Sequence, residues 1–262
     1  MSLLESIFLG ALQGITEFLP ISSSGHLVVA RNLLGIDLPG VQFEVALHLA
    51  TLVSVLTVYR KAIRKLLGGL FRGERDSLQY LLMLIVACVP AAVLGAFGSK
   101  LLESFFLNPW IPVMGFSVTG LILMNTNLQS RSDVDGKITL ARSVMIGLAQ
   151  ACALVPGISR SGVTVAMALW LGVKDEKALE FSFLASIPVI LGAVFLQLGE
   201  LQYEAWQLNW INLFVGMVVA GMTGIFAIRY FLVILRKRII NRFALYCFSL
   251  SAVLALYLTV MD

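Results

Sequence analysis

The chain has 262 residues, of which 59% are hydrophobic and only 13% are charged. Soluble domains carry about 25% charged residues, so this composition excludes an ordinary water-soluble enzyme and an intrinsically disordered chain. The formal net charge is +4, and because the basic residues concentrate between apolar stretches, they indicate membrane topology and not a nucleic-acid partner.

The first predicted element, residues 3–33, consists of two short apolar segments that Pro20 and a run of serines separate. Each segment is shorter than the roughly 20 apolar residues that a membrane-spanning helix needs. The same arrangement returns at residues 140–173, where Pro156 lies at the break. Irregular backbone is tolerated in a membrane only where it is buried in protein or lines a cavity. Both elements are therefore predicted to be re-entrant helical hairpins.

Three apolar stretches after each hairpin are long enough to cross a bilayer. Lys and Arg concentrate at 60–75 and 229–242, so both segments are predicted to be cytoplasmic loops. Residues 100–109 and the acidic turn at 200–204 then lie outside. The first hairpin enters from the outside, the second enters from the cytoplasm, and both termini lie outside. The six predicted spans are 43–59, 78–99, 110–125, 181–199, 209–228 and 243–261.

A duplicated sequence leads to the same arrangement. GALQGITEFLPISSSG (10–25) aligns with GLAQACALVPGISRSG (147–162) without a gap, and the matches concentrate at polar and glycine positions. Each copy contains one hairpin and three spans, an odd number of crossings, so the second copy is predicted to be inverted. Inverted repeats place a ligand site near the bilayer midplane. We expect an all-α polytopic membrane protein with six transmembrane helices and two re-entrant hairpins, forming a single domain (1–262) of two repeats, about 3–125 and about 140–261.

The two hairpin tips carry different chemistry. In the first, Glu17 and His26 supply an acid/base or metal-binding pair. In the second, Arg160 supplies a forked donor that matches a phosphate or a carboxylate. Serine-rich turns that open helices also present free backbone N–H groups to an anion. The sequence predicts an anion site between the tips, with phosphate contacts from Ser22, Ser24, Ser159, Arg160 and Ser161.

Each of these features also has a structural interpretation. Gln13 and Glu17 lie four residues apart on one helical face, where polar pairs often join two helices. Arg160 alone would fit a structural ion pair with Glu17, and the serines alone would fit helix caps. Their combination within duplicated hairpins favours a functional site. His48 and Glu44 have no such counterparts and are interpreted as satisfied polar groups or supporting residues.

These motifs closely resemble those of the undecaprenyl-diphosphate phosphatase family of the bacitracin-resistance type. The resemblance implies hydrolysis of a C55 polyprenyl diphosphate to its monophosphate and phosphate, which recycles the lipid carrier for envelope polymers. It also implies a divalent cation, Mg²⁺ or Ca²⁺, with Glu17 and Gln13 as candidate ligands; Gln13 is the neutral variant of a position that the family fills with Glu or Gln. The matching segments are QGITEFLPISSSGHL (13–27), FEVALH (43–48), PGISRSG (156–162) and EFSFLASIP (180–188).

The resemblance gives Glu17, Ser23, His26 and Arg160 as candidate catalytic residues. We expect Ser23 to be the nucleophile with His26 as its base; attack by His26, or by water that either residue activates, stays open. The implied partners are a polyprenyl diphosphate and membrane lipids, and a homodimer stays open. The implied location is the bacterial cytoplasmic membrane, with the site open to its outer face.

Two other functions fit parts of the pattern. A transporter or flippase for an anionic or polyprenyl-phosphate substrate would share the inverted repeats and the midplane anion site. It would not require Glu17 and His26 beside an anion-binding arginine. An intramembrane serine protease fits less well, because the serine segments lack a Gly-x-Ser-Gly sequence. Phosphate release from the purified protein distinguishes the enzyme from the transporter.

Overall fold

A computed structural model describes residues 1–35, 41–126, 136–198 and 209–261. These residues form twelve α-helices and contain no β-strand. The predicted external turn at 200–204 lies outside the described residues. The helices are α1 (Leu3–Phe18), α2 (Ser23–Leu34), α3 (Val41–Val58), α4 (Arg60–Phe71), α5 (Arg75–Phe97), α6 (Ser99–Leu107), α7 (Trp110–Thr126), α8 (Leu140–Cys152), α9 (Arg160–Trp170), α10 (Asp175–Leu198), α11 (Trp210–Arg236) and α12 (Arg242–Met261).

The first predicted hairpin is a pair of helices, α1 and α2, with a break at the predicted place. α1 ends at Phe18, and Leu19 adopts extended backbone, the conformation that a residue before proline prefers. Ser22 then caps α2 and accepts a hydrogen bond from the Gly25 N–H. The chain therefore reverses between Leu19 and Ser22 because proline ends one helix and serine starts the next.

The second hairpin, α8 and α9, repeats this local design. Its break extends from Ala153 to Ser159, and Ser159 caps α9 by accepting from the Gly162 N–H at 3.1 Å. Ser159 and Gly162 are the counterparts of Ser22 and Gly25 in the duplicated sequence. The serine–glycine spacing is thus a helix-start signal in both copies.

Helix packing follows the same duplication. α1 packs along α11, and α8 packs along α5. In each pair a matched glycine brings the backbones together. A Cβ atom on Gly10 would lie 2.4 Å from the Gly216 carbonyl oxygen, and one on Gly147 would lie 2.7 Å from the Ala87 carbonyl oxygen. Small residues allow this approach between helices in a membrane.

The protein is a multi-pass membrane protein, and its described residues contain four to six candidate spans. Four helices are long and apolar enough to cross alone: Arg75–Phe97, Asp175–Phe195, Trp210–Arg236 and Arg242–Val260. The other two predicted spans are parts of bent helix pairs. Phe43–Val58 is followed by Arg60–Phe71 at an angle of 76°, and Lys100–Leu107 precedes Trp110–Thr126 at 95°.

The two predicted basic loops are mostly helical. α4 fills most of 60–75, and α11 continues past 228 to Arg236. The prediction was wrong here because it ended each helix at its first cations. Arg60, Lys61 and Arg229 all keep their side chains exposed, and long basic side chains can extend from a helix end toward water.

An aromatic contact fixes the end of α1 where the hairpin turns. The fully buried Phe18 ring meets Phe183 of α10 edge-on, with centroids 5.3 Å apart. Phe183 also packs against Phe231 of α11 at 6.3 Å. Edge-to-face pairs of this kind are favourable beyond the area they bury, so the backbone next to Glu17 is held between α10 and α11.

Candidate active site

Glu17 is the point at which the two hairpins meet. Its side chain is only 7% exposed, and its two carboxylate oxygens accept from different groups. Arg160 Nη2 donates to Oε1 at 2.6 Å, and Ser23 Oγ donates to Oε2 at 2.6 Å. Gln13 Nε2 also donates to Oε2, at 3.1 Å. The Arg160–Glu17 ion pair is therefore present, and it lies in the same cluster as the Ser23 hydroxyl.

The serines that flank Ser23 and Arg160 form matched pairs. Ser22 Oγ lies 3.3 Å from Ser24 Oγ, and Ser159 Oγ lies 3.2 Å from Ser161 Oγ. Ser22, Ser24 and Ser159 line the cavity described below. Ser161 instead donates to the Leu19 carbonyl oxygen and so joins the two hairpins. Phosphate binding by these four serines stays a prediction.

Close glycine contacts hold the hairpin tips together. A Cβ atom on Gly25 would lie 2.8 Å from the Gly157 Cα. Gly157 has a φ of +90°, and a Cβ atom there would lie 2.4 Å from the Pro112 carbonyl oxygen. Thr119 supports the same loop, since its hydroxyl donates to the Gly157 carbonyl and accepts from the Ser159 N–H. α7 thereby sets the position from which α9 begins.

The structure does not bring His26 into this cluster. Its Nδ1 lies 2.7 Å from the Ser22 carbonyl oxygen, and its Nε2 lies 2.7 Å from the Tyr246 hydroxyl. The ring stacks on Tyr246 and meets Phe116 edge-on. It lines a separate cavity of about 510 Å³ with Tyr246 and Arg242. The expected hydrogen bond from Ser23 to His26 is not formed; Ser23 donates to Glu17 instead.

His48 is the site residue that sequence reasoning missed. Its Nδ1 lies 3.0 Å from Gln13 Nε2 and 3.7 Å from Glu17 Oε2. Its side chain is 34% exposed and lines the cavity. Glu44, which was interpreted in the same way, makes a partly exposed ion pair with Arg31. The sequence feature that could have identified His48 is its position within an apolar helix, because an ionisable side chain in such a helix usually faces a polar partner or a functional site.

The cavity beside Glu17 has a volume of about 190 Å³ and two kinds of wall. The polar part includes Glu17, Ser23, His48 and Arg160. Arg160 Nη1 is buried and has no hydrogen-bond partner within the described part of the chain. The apolar part comes from α3, α5 and α10, through Val45, Ala91, Val189, Ile190, Ala193 and Val194. Such a cavity suits an amphiphile with an anionic head group.

The residues around Glu17 do not fit a resident divalent cation. Mg²⁺ and Ca²⁺ bind several oxygen ligands, usually including carboxylates. The described ranges contain no group of three or more His, Cys, Asp or Glu residues suited to a metal. Both Glu17 oxygens already accept from Arg160, Ser23 and Gln13, and Gln13 presents its nitrogen to Glu17. Glu17 and Gln13, the expected metal ligands, are thus joined to each other by a hydrogen bond and are not arranged around a shared ion.

The cluster can support nucleophilic attack on a phosphorus atom. The Ser23 hydroxyl donates to a carboxylate that can take its proton, and Arg160, which lines the same cavity, keeps one buried nitrogen without a hydrogen-bond partner in the described part of the chain. A nucleophile, a base and a cationic donor are the groups that such a reaction needs.

Comparison with known proteins identifies a family that covers nearly the whole chain. The family model described as "Bacitracin resistance protein BacA" matches residues 6–253. An undecaprenyl-diphosphatase of Rubrobacter xylanophilus is 40% identical, covering 97% of this chain and 98% of its own length. Undecaprenyl-diphosphatase 1 of Bacillus licheniformis is 37% identical with the same coverage. An undecaprenyl-diphosphatase of Methanobrevibacter smithii is 34% identical, covering 97% of this chain and 96% of its own length. The chain belongs to the bacitracin resistance protein BacA family.

Proposed function

We propose that this protein hydrolyses undecaprenyl diphosphate to undecaprenyl phosphate and inorganic phosphate, and so recycles the lipid carrier for cell-wall synthesis. The observation that carries the proposal is the 2.6 Å hydrogen bond from the Ser23 hydroxyl to Glu17, next to the free Nη1 of Arg160. Family membership and the names of the relatives support the same reaction.

In the first step, Ser23 Oγ attacks the terminal phosphorus. A new Oγ–P bond forms, the bond from this phosphorus to the bridging oxygen breaks, and undecaprenyl phosphate leaves with that bond's electron pair. The Ser23 proton passes to Glu17 Oε2, the atom to which it is already hydrogen-bonded. Glu17 therefore takes the role of base that the sequence had suggested for His26.

In the second step, water attacks the phosphoserine. The Oγ–P bond breaks, inorganic phosphate is released, and a proton from water restores the Ser23 hydroxyl. The proton that Glu17 took in the first step is released to solvent, so one proton appears for each diphosphate hydrolysed.

Arg160 stabilises the charge that develops on phosphate oxygens. Its Nη2 is held by Glu17 at 2.6 Å, which fixes the guanidinium plane and leaves Nη1 for the substrate. A pre-positioned donor of this kind stabilises the transition state without reorganisation. The ion-pair partner of Arg160 is therefore Glu17, the proposed base. The residue that binds the phosphate is thus in direct contact with the residue that accepts the Ser23 proton.

We also propose where the substrate enters. The apolar wall is formed near the start of α3 and near the end of α10, by Val45, Ile190 and Val194. The charge pattern assigns both of these helix ends to the outer side. The matched packing of α1 on α11 and of α8 on α5 supports inverted repeats with two re-entrant hairpins. The prenyl chain would lie against this wall from the outer leaflet of the bacterial cytoplasmic membrane.

We propose that Mg²⁺ or Ca²⁺ enters with the diphosphate and not as a resident cofactor. The phosphate oxygens offer the hard ligands that these ions prefer, whereas the protein offers one carboxylate that is already paired with Arg160. In this proposal the cation is part of the substrate, and the proton transfers involve Ser23 and Glu17 alone.

Phosphate release from purified protein in detergent tests the function. Wild type should release one phosphate from each undecaprenyl diphosphate, and Ser23→Ala should release almost none. Ser104→Ala is the matched control, because its exposed hydroxyl bonds only to its own helix. Mass spectrometry of acid-quenched wild type should find phosphate on Ser23. Uptake into proteoliposomes without phosphate release would instead support a transporter.

A further inference from the structure

The orientation of the Gln13 amide is fixed by its surroundings. This side chain is fully buried between Glu17 Oε2 at 3.1 Å and His48 Nδ1 at 3.0 Å. An ionised carboxylate can only accept hydrogen bonds, so Gln13 must turn its NH₂ group toward Glu17. The same nitrogen has a second hydrogen, and this one is directed to His48 Nδ1.

The Gln13 orientation in turn fixes the tautomer of His48. Because Nδ1 accepts a hydrogen bond, the neutral imidazole carries its hydrogen on Nε2. A hydrogen on Nδ1 would face the Gln13 N–H across 3.0 Å. Turning the amide over would remove that conflict, but it would place Oε1 against Glu17 Oε2 at 3.1 Å. The other histidine tautomer would therefore set two N–H groups against each other, and the other amide orientation would set two oxygens against each other.

The hydrogen on His48 Nε2 has no protein acceptor within the described part of the chain. The side chain lines the same cavity as Ser23 and Arg160, and the buried Nη1 of Arg160 is a second donor without an acceptor. Two N–H donors without acceptors, on two side chains that line one cavity, call for an anionic ligand with several acceptor oxygens, and a phosphoryl group has three.

From this geometry we infer that His48 binds the substrate directly, by donating a hydrogen bond from Nε2–H to a phosphate oxygen of the diphosphate. The inference rests on the proposed function, since it assigns a further phosphate ligand to the same site. His48 is neutral in this role and adds a directional donor to the charge of Arg160. Gln13 sets its tautomer, which gives the buried amide a task that does not involve a metal.

The chain contains a built-in comparison, because it has only two histidines. His26 Nδ1 faces the Ser22 carbonyl oxygen, which can only accept, so His26 carries its hydrogen on Nδ1 and accepts from Tyr246 at Nε2. The two rings are thus expected to be opposite tautomers. Only His48 faces the cavity that contains Ser23.

Nitrogen NMR of protein labelled with ¹⁵N-histidine tests the tautomers. Ser23→Ala protein in detergent should show one ring with its hydrogen on Nε2 and one with it on Nδ1. Farnesyl diphosphate should shift the Nε2 signal of the first ring and leave the second unchanged. A His48 ring with its hydrogen on Nδ1, or an Nε2 signal that does not move at saturating ligand, would overturn the inference. This test requires no turnover, so it can fail while phosphate release is intact.

Two substitutions separate the donor from a structural role. His48→Gln can still accept from Gln13 and donate toward the cavity, so kcat/KM should stay within about 5-fold of wild type. His48→Leu removes both bonds and should lower kcat/KM about 10- to 100-fold, the effect expected from losing one hydrogen bond to a charged group. Glu44→Gln, one helical turn away and in a partly exposed ion pair, is the matched control. Equal loss in His48→Gln and His48→Leu, or near-normal kcat/KM in His48→Leu, would contradict the inference.

Discussion

Ser23 and Arg160 occupy the same position in the two copies of the serine motif, and each donates to a different oxygen of Glu17 at 2.6 Å. In both copies the preceding serine caps the helix and its hydroxyl lies within 3.3 Å of the following serine hydroxyl, although φ is +68° at Ser22 and −75° at Ser159. The duplicated residues therefore build two equivalent helix starts, and the residue between them carries the chemistry. One copy contributes a hydroxyl and the other a guanidinium, so neither hairpin alone forms the site.

Arg160→Lys tests the guanidinium. Lysine keeps the charge, but its N–H groups all radiate from one nitrogen, so it lacks the planar fork with which Arg160 can hold Glu17 through Nη2 and present Nη1 to a phosphate oxygen. We expect phosphate release to fall about 100-fold or more, as when a transition-state donor is removed. Arg72→Lys, which changes an exposed arginine paired with Glu74, is the control. Near-normal turnover in Arg160→Lys would mean that the phosphates are held elsewhere.

A double-mutant comparison tests whether Ser23 and Glu17 act as one unit. Ser23→Ala and Glu17→Gln should each remove most phosphate release while binding of farnesyl diphosphate persists. The double variant should be hardly worse than either single variant, because residues that act together fail together. Losses that multiply would show that Ser23 and Glu17 act in independent steps.

The hairpins could be predicted from the sequence because local rules determine them. Proline at position 20 ends a helix, serine at 22 or 159 caps the next, and a glycine three residues later provides the N–H that the cap accepts. The same residues placed Glu17 and Arg160 at neighbouring tips. The bends after Val58 and before Trp110 escaped prediction because hydropathy measures length and polarity but not direction.

The histidines show where sequence reasoning stops. The motif places His26 three residues from Ser23, yet its ring turns back over the preceding helical turn toward the Ser22 carbonyl. His48 is far from the motif in sequence, and only the packing of α3 against α1 brings it to Gln13. The direction of the side chain determines where His26 lies, and the packing of distant helices determines where His48 lies. Neither can be read from the local sequence pattern.

His26 is expected to act through the loop and not on the substrate. His26→Ala would remove the side-chain donor to the buried Ser22 carbonyl, which then keeps only the backbone N–H of residue 26, at a cost of about 1 kcal/mol, and would loosen a residue whose φ is +68°. Both thermal stability and phosphate release should fall. Tyr246→Phe breaks the other hydrogen bond of the ring, so its effect should be non-additive with that of His26→Ala in a double-mutant cycle. Loss of activity in His26→Ala with unchanged stability and unchanged lipid binding would argue for a direct catalytic role.

The orientation can be measured by labelling introduced cysteines in a Cys152→Ser background, since Cys152 is the exposed native cysteine among the three. Gly68→Cys and Lys237→Cys should react with an impermeant maleimide only after the cells are opened, because both lie in basic segments. Leu107→Cys, which is exposed and predicted to be outside, should react in intact cells. Labelling of position 68 or 237 from outside would reverse the topology and move the site to the inner leaflet.

Gly157→Ala tests whether contact between the hairpin tips is required for activity. Gly157 has a left-handed φ of +90°, and an added Cβ would lie 2.4 Å from the Pro112 carbonyl oxygen. Backbone strain of this kind costs about 1–3 kcal/mol, and a shift of the loop to relieve the clash would displace Ser159 and Arg160, which follow directly. Phosphate release should therefore fall at least 10-fold, with a lower unfolding temperature in detergent. Gly95→Ala is the control, because a Cβ there meets nothing within 4 Å and alanine is the better helix former; it should leave activity unchanged. If Gly157→Ala kept wild-type phosphate release, the contact between the tips would not be what holds Arg160 against Glu17.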